Sequence, residues 1–168
     1  AKPSPVVRLF SLLLPKAELA LSVEVAGASA TFVEAQVSGL APQAPAQLPL
    51  PPHADTALVE VPLEQLAFGR SGDKANIGII ARRPEYLPWI AAALTEARVA
   101  AFFAHFLRPG QAQPVQRFYL PGSHALNFLL HDVLAGGGIA SLRTDPQGKG
   151  YAQLLLTVPV PVPAALLQ

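Results

Sequence analysis

The chain has 168 residues, of which 51% are hydrophobic and 14% charged, with a formal net charge of +1 and no cysteine. This length fits one ordinary domain, or one domain with part of a neighbour. The near-neutral charge gives no basic field for nucleic acid, the lack of cysteine excludes disulfides and thiolate metal sites, and no apolar run of roughly eighteen residues predicts a membrane span.

The N-terminal part, residues 1–38, predicts short strands without a helix. An extended apolar segment covers residues 6–14, and residues 19–25 and 30–37 alternate apolar and polar side chains. Gly27 lies between the two alternating runs, which predicts a hairpin or small meander with a four-residue connection. Short strands alone are marginally stable, so we expect them to need a neighbouring structure. Charges within and after the apolar segment disfavour a secretion signal, and a cytoplasmic protein is expected.

Residues 39–56 carry five prolines and no apolar period, which predicts a semi-extended linker. The body of the chain is predicted to cover residues 57–158. It begins with a strand over residues 57–66, in which Pro62 is expected at the strand end or at a sheet edge. A second strand is predicted over residues 77–82.

A helical stretch follows from Pro84 to Arg108, with apolar residues three and four positions apart. The pair Thr95-Glu96 indicates that this stretch breaks into two helices. A strand over residues 115–120 and a helix over residues 123–134, N-capped by Ser123, come next.

The last elements predicted in the body are strands over residues 139–144 and 151–158, joined by a turn, and residues 159–168 form an extended, proline-containing tail. The order of elements predicts an α+β fold. It is a ferredoxin-like two-layer sandwich, with a mainly antiparallel sheet and helices on one face.

Polar chemistry is concentrated between Gly69 and Gly78. Backbone N–H groups beside glycines bind phosphates or carboxylates, and lysine or arginine adds counter-charge. The candidate ligand-binding residues of this stretch are Arg70, Ser71, Gly72, Asp73, Lys74 and Asn76. The spacing matches neither a nucleotide-hydrolase phosphate loop nor a dinucleotide fingerprint. The alternative is a structural turn in which Asp73 bonds the backbone and pairs with a neighbouring cation.

A second candidate group begins at Ser123, where a helix N-terminus would attract an anion. Asn127 and Gly137 are further candidate ligand contacts, and His124 is the candidate catalytic residue because imidazole titrates near neutral pH. The structural alternatives to ligand binding are that Ser123 only caps the helix and that Gly136-Gly137-Gly138 only ends it. No metal site is predicted, because a two-histidine site would need a carboxylate that Asp132 does not provide on the same helical face.

Several separated motifs stand in order along residues 57–158. They are Arg70-Ser71-Gly72-Asp73-Lys74, Asn76-Ile77-Gly78-Ile79-Ile80-Ala81-Arg82, Leu120-Pro121 with Ala125-Leu126-Asn127-Phe128, Gly136-Gly137-Gly138, and Ser141-Leu142-Arg143 with Gly148-Lys149. This set resembles the C-terminal ferredoxin-fold domain of the acyclic terpene utilisation (AtuA) family. Residues 1–38 resemble the end of that family's large preceding domain, which implies that the chain is the C-terminal piece of a longer protein.

The resemblance implies a role in bacterial breakdown of citronellol- and geraniol-type terpenes, a route through CoA thioesters. "Ferredoxin" here describes a fold, and no cofactor is predicted, since no cysteine can hold an iron–sulfur cluster. The leading hypothesis is a domain that binds an acidic or CoA-linked intermediate. Arg70, Lys74 and Ser123 would hold the anion, Asn76 and Asn127 would orient it.

Two alternatives remain open at the level of sequence. The first is a non-catalytic assembly domain that forms a homo-oligomer or docks on the preceding domain through its apolar helices and sheet edge. The second is a lyase or hydratase active site wholly inside this domain, so whether the chain is an enzyme is left open. Neither a nucleic acid nor a membrane is predicted as a partner.

Overall fold

The computed structural model describes residues 12–15, 18–31, 44–71, 75–137 and 140–168, with the backbone alone for Arg70 and Ser71. The chain divides into two compact units. Leu9–Pro45 forms one, and Ala46–Gln168 together with Ala1–Arg8 forms the other. Every helix in the described ranges is too short or too polar to span a bilayer.

The smaller unit contains an antiparallel hairpin of β1 (Ser22–Val25) and β2 (Ala28–Thr31). Its turn residues Ala26 and Gly27 have φ angles of 51° and 81°, the left-handed values that a tight two-residue hairpin turn requires. The predicted hairpin is confirmed, although its connection has two residues rather than four. Most of the strand predicted over residues 6–14, and most of the one over residues 30–37, lie outside the described residues.

The larger unit alternates strands and short helices. Its elements are β3 (Leu58–Pro62), α1 (Leu63–Leu66), β4 (Ala67–Ser71), β5 (Asn76–Ala81), α2 (Leu87–Ala93), α3 (Glu96–Phe102), β6 (Val115–Leu120), β7 (Ala125–Leu130), α4 (Tyr151–Leu155) and β8 (Pro159–Pro163). Single 3-10 turns precede α2, separate β6 from β7 and follow β8. The predicted strands at residues 77–82 and 115–120 are confirmed, and Pro62 does end its strand.

The centre of this unit is a four-stranded antiparallel sheet in the order β4-β5-β7-β6. One face carries Ile77, Ile79, Leu126 and Phe128, all fully buried. The helices pack on this inner face, α4 against β4 and β5 and α3 against β6. The architecture is the predicted α+β two-layer arrangement of an antiparallel sheet covered by helices.

Gly69 allows α4 to approach this inner face closely. A Cβ atom at Gly69 would lie 3.1 Å from Leu156 Cδ1 and 3.3 Å from the Cβ of Ala152. Such distances are tighter than ordinary van der Waals contact, so Leu156 and Ala152 would have to shift by a few tenths of an ångström. The first glycine of the polar stretch therefore has a packing role.

The helical stretch after Pro84 breaks where the sequence predicts. Leu94 ends α2 with a φ of −94° and a ψ of 67°, and the Thr95 hydroxyl then accepts a hydrogen bond from Arg98 N, capping α3. The second helix ends at Phe102 rather than continuing to Arg108, because the chain turns at Phe103 so that this ring is fully buried.

The helix predicted over residues 123–134 is wrong, because Ala125–Leu130 is strand β7. This strand lies in the middle of the sheet between β5 and β6. The strand carries apolar residues on both faces, with Leu126, Phe128 and Leu130 buried and Leu129 partly buried on the outer face, so its sequence lacks a clean period of two and resembles a buried helix. Ser123 is accordingly no helix cap; its hydroxyl donates to Leu120 O at 3.3 Å.

The two closing strands are also wrong. Residues 141–150 form bends and turns, and Tyr151–Leu155 is helix α4, which buries Tyr151, Ala152 and Leu155 at helical spacing. Ile139 lies outside the described residues. The strand that closes the unit is β8, within the predicted tail, and it pairs antiparallel with β3.

Prolines at alternate positions are compatible with β8 for a geometric reason. Ala164 N donates to Ala57 O at 3.3 Å and Leu63 N donates to Val158 O at 2.9 Å, so the even-numbered residues direct their backbone groups toward β3. The odd-numbered positions hold proline, and their missing N–H groups fall on the opposite edge. The two valines between the prolines, Val160 and Val162, are fully buried.

Candidate functional site

The polar stretch between Gly69 and Gly78 forms a β-hairpin rather than a loop that leads into one strand. Its first part belongs to β4, which pairs antiparallel with β5. Gly72, Asp73 and Lys74 at the tip lie outside the described residues, and so do the side chains of Arg70 and Ser71. The predicted ligand contacts at this tip therefore remain predictions.

Two of the predicted orienting residues meet on the outer face of the sheet. Asn127 Nδ2 donates to Asn76 Oδ1 at 3.1 Å, and both side chains are partly buried. The backbone register places Arg70 opposite Gly78, and Gly78 opposite Asn127. Because alternate residues of a strand share a face, positions 70, 76 and 127 lie on the same side of the sheet. Asn76 and Asn127 are thus brought together, and their binding of a ligand stays a prediction.

Ser123 and His124 are not part of this group. His124 O accepts a hydrogen bond from Ala81 N, at the opposite end of β5 from Asn76. Five residues of extended chain span about 16 Å. His124 has a φ of 48° and completes the turn between β6 and β7. The predicted convergence of His124 with the hairpin tip and with Asn76 is therefore wrong, because it depended on a helix that does not form.

Gly137, the remaining predicted ligand contact, lies in a turn that contains none of Asn76, Asn127 and His124. Its N–H donates to Leu134 O, and a Cβ at this position would meet Leu134 and Pro146 O at 3.8–3.9 Å. Its φ of 63° favours glycine in this turn. The structure therefore places Gly137 beside the turn that precedes α4, and Gly138 lies outside the described residues.

A cavity of about 540 Å³ is formed between this turn, α4 and the chain after α3. Its main lining side chains are Phe106, Leu142, Arg143, Asp145, Tyr151 and Leu154. Small-molecule sites have volumes of roughly 300–1,000 Å³ and are mostly apolar with a few polar groups. The volume and the mainly apolar lining of this cavity fall within the range found for small-molecule sites.

The base of the cavity is a stack of aromatic rings. Tyr151 stacks on Phe106 with ring centroids 5.0 Å apart and on Phe103 with centroids 5.3 Å apart. Arg143 is fixed beside the stack, since its Nη2 donates to Phe106 O at 2.9 Å and its guanidinium carbon lies 5.1 Å from the Phe106 ring centre. One permanent positive charge is thus held against an aromatic surface.

Burial raises the pKa of the Tyr151 phenol, and the nearby Arg143 guanidinium partly opposes this rise. The phenol is therefore neutral at physiological pH. Its hydroxyl lies 3.5 Å from Val133 O, a distance at which a hydrogen bond is weak. Tyr151 contributes to the site mainly as a buried ring and as a neutral hydroxyl near the cation.

Asp145 shapes the turn that carries this wall of the cavity. Its carboxylate accepts N–H bonds from Lys149 at 3.0 Å and Gly150 at 2.8 Å. Desolvation acts to raise the pKa of Asp145, but the backbone N–H bonds outweigh it and lower the pKa below its ordinary value. The charged carboxylate therefore stabilises the turn that leads directly into α4.

We expect Asp145→Ala to lower the free energy of unfolding by about 1 kcal/mol at neutral pH, since two backbone N–H groups lose their acceptor and the charge is partly screened by solvent. A lowered folded-state pKa gives stability above the unfolded value of about 3.9, and that stability is lost as the pH falls through the folded-state pKa. Urea unfolding at pH 7 and in acid is the measurement, and wild type and variant should converge in acid.

The control for this prediction is Asp145→Asn, which keeps an acceptor oxygen and should lose less stability than alanine at neutral pH. An alanine variant whose deficit is the same at pH 7 and in acid would contradict the assigned role of the charged carboxylate.

A second depression, of about 560 Å³, lies between α3 and the edge strand β6. Its walls include Ala97, Ala100 and Gln116, and its arginine, Arg117, donates from Nη1 to Ala91 O and Leu94 O. The guanidinium is thus already used to hold the end of α2. The depression also has no aromatic stack, and we regard the Arg143 cavity as the better candidate.

Sequence reasoning missed Arg143, Tyr151 and Phe106 as site residues. The available signal is the motif Ser141-Leu142-Arg143 with Gly148-Lys149, in which an arginine stands beside a leucine and close to a turn. Within the described ranges, no group of three or more histidine and carboxylate side chains is placed to hold a metal ion.

The chain matches the model of a known protein family. The family model described as the AtuA ferredoxin-like domain matches residues 61–161, which is more than half of the 168 residues. The matched region runs from the end of β3 into β8 and contains both the hairpin and the Arg143 cavity. Neither a curated protein nor a solved structure matches the chain.

Proposed function

This chain belongs to the AtuA ferredoxin-like domain family, and from that premise we propose that it acts in bacterial catabolism of acyclic terpenes by binding an acidic or CoA-linked intermediate. Such intermediates combine a branched hydrocarbon chain with negative charge. A site for them needs an apolar surface and a fixed cation close to each other.

The observation that carries this proposal is the pairing of Arg143 with an aromatic stack in one cavity of about 540 Å³. Phe106 and Tyr151 offer flat apolar surface, and Leu154 adds an aliphatic wall. A guanidinium recognises carboxylate or phosphate through parallel N–H bonds. Binding here therefore uses both parts of an amphipathic acid.

Isothermal titration tests the proposal with the full chain, a geranyl-type acid and the CoA ester of that acid. We expect saturable binding of at least one of the two, and no binding of the corresponding neutral hydrocarbon at equal concentration. A chain that binds neither the acid nor its CoA ester would contradict the proposed function.

A second candidate function is assembly, favoured by a row of apolar side chains on the outer face of the sheet. The register places Phe68 opposite Ile80, Ile80 opposite Ala125, and Ala125 opposite Leu120. Phe68, Ile80, Leu120 and the adjacent Phe118 are each 45–54% exposed. Sheets pack face to face through such rows, so this surface fits a second copy of the sheet or the preceding domain.

Replacement of Phe118 with glutamate tests this second function, since a charge on the outer face would oppose burial of that face. We expect the wild-type chain to sediment as a dimer and Phe118→Glu to sediment as a monomer with unchanged ligand binding. Gln116→Glu is the control, because residue 116 lies on the same strand and face but outside the apolar row. A wild-type monomer at high concentration would exclude self-assembly through this surface.

A further inference from the structure

Building on the proposed function, we infer that the Arg143 cavity selects the free carboxylic acid of a branched hydrocarbon over its CoA thioester. In this arrangement the carboxylate bonds the Arg143 guanidinium and the hydrocarbon chain lies on the aromatic stack. The thioester has no such negative charge at the end of the chain.

The charge distribution of the cavity supports a single anionic group. Arg143 is the one cation among its described lining residues. A guanidinium has five N–H donors; Arg143 uses one for Phe106 O and another for the Tyr151 hydroxyl, and the others can meet a ligand. The lining carboxylate, Asp145, is engaged by the N–H groups of Lys149 and Gly150. One carboxylate satisfies this arrangement, whereas the phosphates of a CoA group would need several further cations from outside the lining.

The shape of the cavity supports a compact apolar chain. Its volume of about 540 Å³ lies in the lower half of the range of roughly 300–1,000 Å³ for small-molecule sites. Leu142 is fully exposed next to Arg143, and Leu154 is also more than one-third exposed. A branched hydrocarbon placed between these leucines and the Phe106 ring would remove all three from water.

Tyr151 adds a reason for selecting the anion over a neutral ester. The ring is buried at the base of the stack, close enough to Arg143 for the guanidinium to affect the phenol. A phenol that stays neutral contributes no competing negative charge to the cation. The lining therefore carries one positive charge, on Arg143, and one negative charge, on Asp145, whose carboxylate is occupied by backbone N–H bonds.

The test is isothermal titration of the full chain with three probes, namely a geranyl-type acid, its methyl ester and its CoA ester. We expect the acid to bind about 10–100-fold more tightly than either ester, which is the effect of one charge-assisted bidentate contact. The comparison of acid with methyl ester needs no variant, so it stands even if substitutions destabilise the chain.

Substitutions of Arg143 test whether this residue causes the preference for the acid. Arg143→Gln should lower the affinity for the acid by about 10–100-fold and leave the affinity for the methyl ester unchanged. Arg143→Lys keeps the positive charge but not the planar pair of N–H donors, so it should give an intermediate loss. Arg83→Gln is the matched control, since it removes one exposed positive charge away from the cavity lining. Circular dichroism of each variant verifies the fold.

The outcomes separate this inference from the proposed function. A CoA ester that binds as tightly as the acid, or acid affinity that is insensitive to Arg143→Gln in a folded variant, overturns the selectivity and leaves ligand binding intact. Failure of the acid and of both esters to bind overturns the two proposals together.

Discussion

Replacing Tyr151 with alanine is expected to lower the free energy of unfolding by about 3–5 kcal/mol, the usual cost of removing a large buried ring. Tyr151 is 2% exposed and stacks on both Phe103 and Phe106. Its removal leaves a void between α4 and the turns after α3, and the neighbouring rings lose their stacking partner. Urea unfolding monitored by circular dichroism measures the change.

The control for this prediction is Tyr151→Phe, which keeps the ring and removes a hydroxyl that lies 3.5 Å from Val133 O and hydrogen-bonds the Arg143 side chain. We expect this variant to lose no more than about 1.5 kcal/mol, the upper end of the usual net contribution of one hydrogen bond. If the alanine variant lost no more than the phenylalanine variant, Tyr151 would not be a core residue. Ligand titration of the alanine and phenylalanine variants should also show whether binding needs the Tyr151 ring or its hydroxyl.

Replacing Arg117 with alanine is expected to destabilise the fold by about 2–4 kcal/mol, since hydrogen bonds from a charged group are strong and their buried acceptors are left without partners. Arg117 extends from β6 toward the end of α2, where Nη1 donates to Ala91 O at 2.6 Å and Leu94 O at 2.9 Å. These carbonyls belong to the last turn of α2, which lacks helical N–H partners for them. The side chain therefore connects the sheet to the break between α2 and α3.

The contribution of the Arg117 ion pair to the free energy of unfolding can be measured separately from that of its hydrogen bonds to carbonyl groups. Arg117 Nη2 lies 3.5 Å from Glu96 Oε2, but the Glu96 side chain is 46% exposed. We expect Glu96→Gln to cost less than about 1 kcal/mol, as exposed ion pairs do. Thermal or urea unfolding of Arg117→Ala, Arg117→Lys and Glu96→Gln measures the difference. Equal losses in the alanine and glutamine variants would show that the ion pair, and not the carbonyl bonds, stabilises this junction.

The sequence predicted those parts of the fold whose signals are local. The break between α2 and α3 follows from the capping preference of Thr95, the strand β6 follows from its β-branched and aromatic residues, and the hairpin of the smaller unit follows from alternation around Gly27. Each of these features depends on residues that are neighbours in the chain. Capping, alternation and turn formation act over four or five residues, so the sequence contains the whole signal.

The candidate site was predictable only in part, because its residues come together through contacts between distant segments of the chain. Asn76 and Asn127 do meet, but through the register of β5 with β7 and not through the helix that was predicted to carry Asn127. His124 was grouped with them through a predicted helix, and the strand that forms instead carries it to the far end of β5.

What only the tertiary structure decided is where buried apolar segments pair. Residues 125–130 have the same apolar character as a buried helix, and their position between two strands makes them β7. The proline-rich tail forms β8 because β3 pairs with the backbone groups that lie between its prolines. The cavity exists because Phe106 meets Arg143, 37 residues further along the chain, and stacks on Tyr151, which follows Arg143 closely in sequence. Long-range pairing and side-chain packing determine these features, and neither is encoded within any short stretch of sequence.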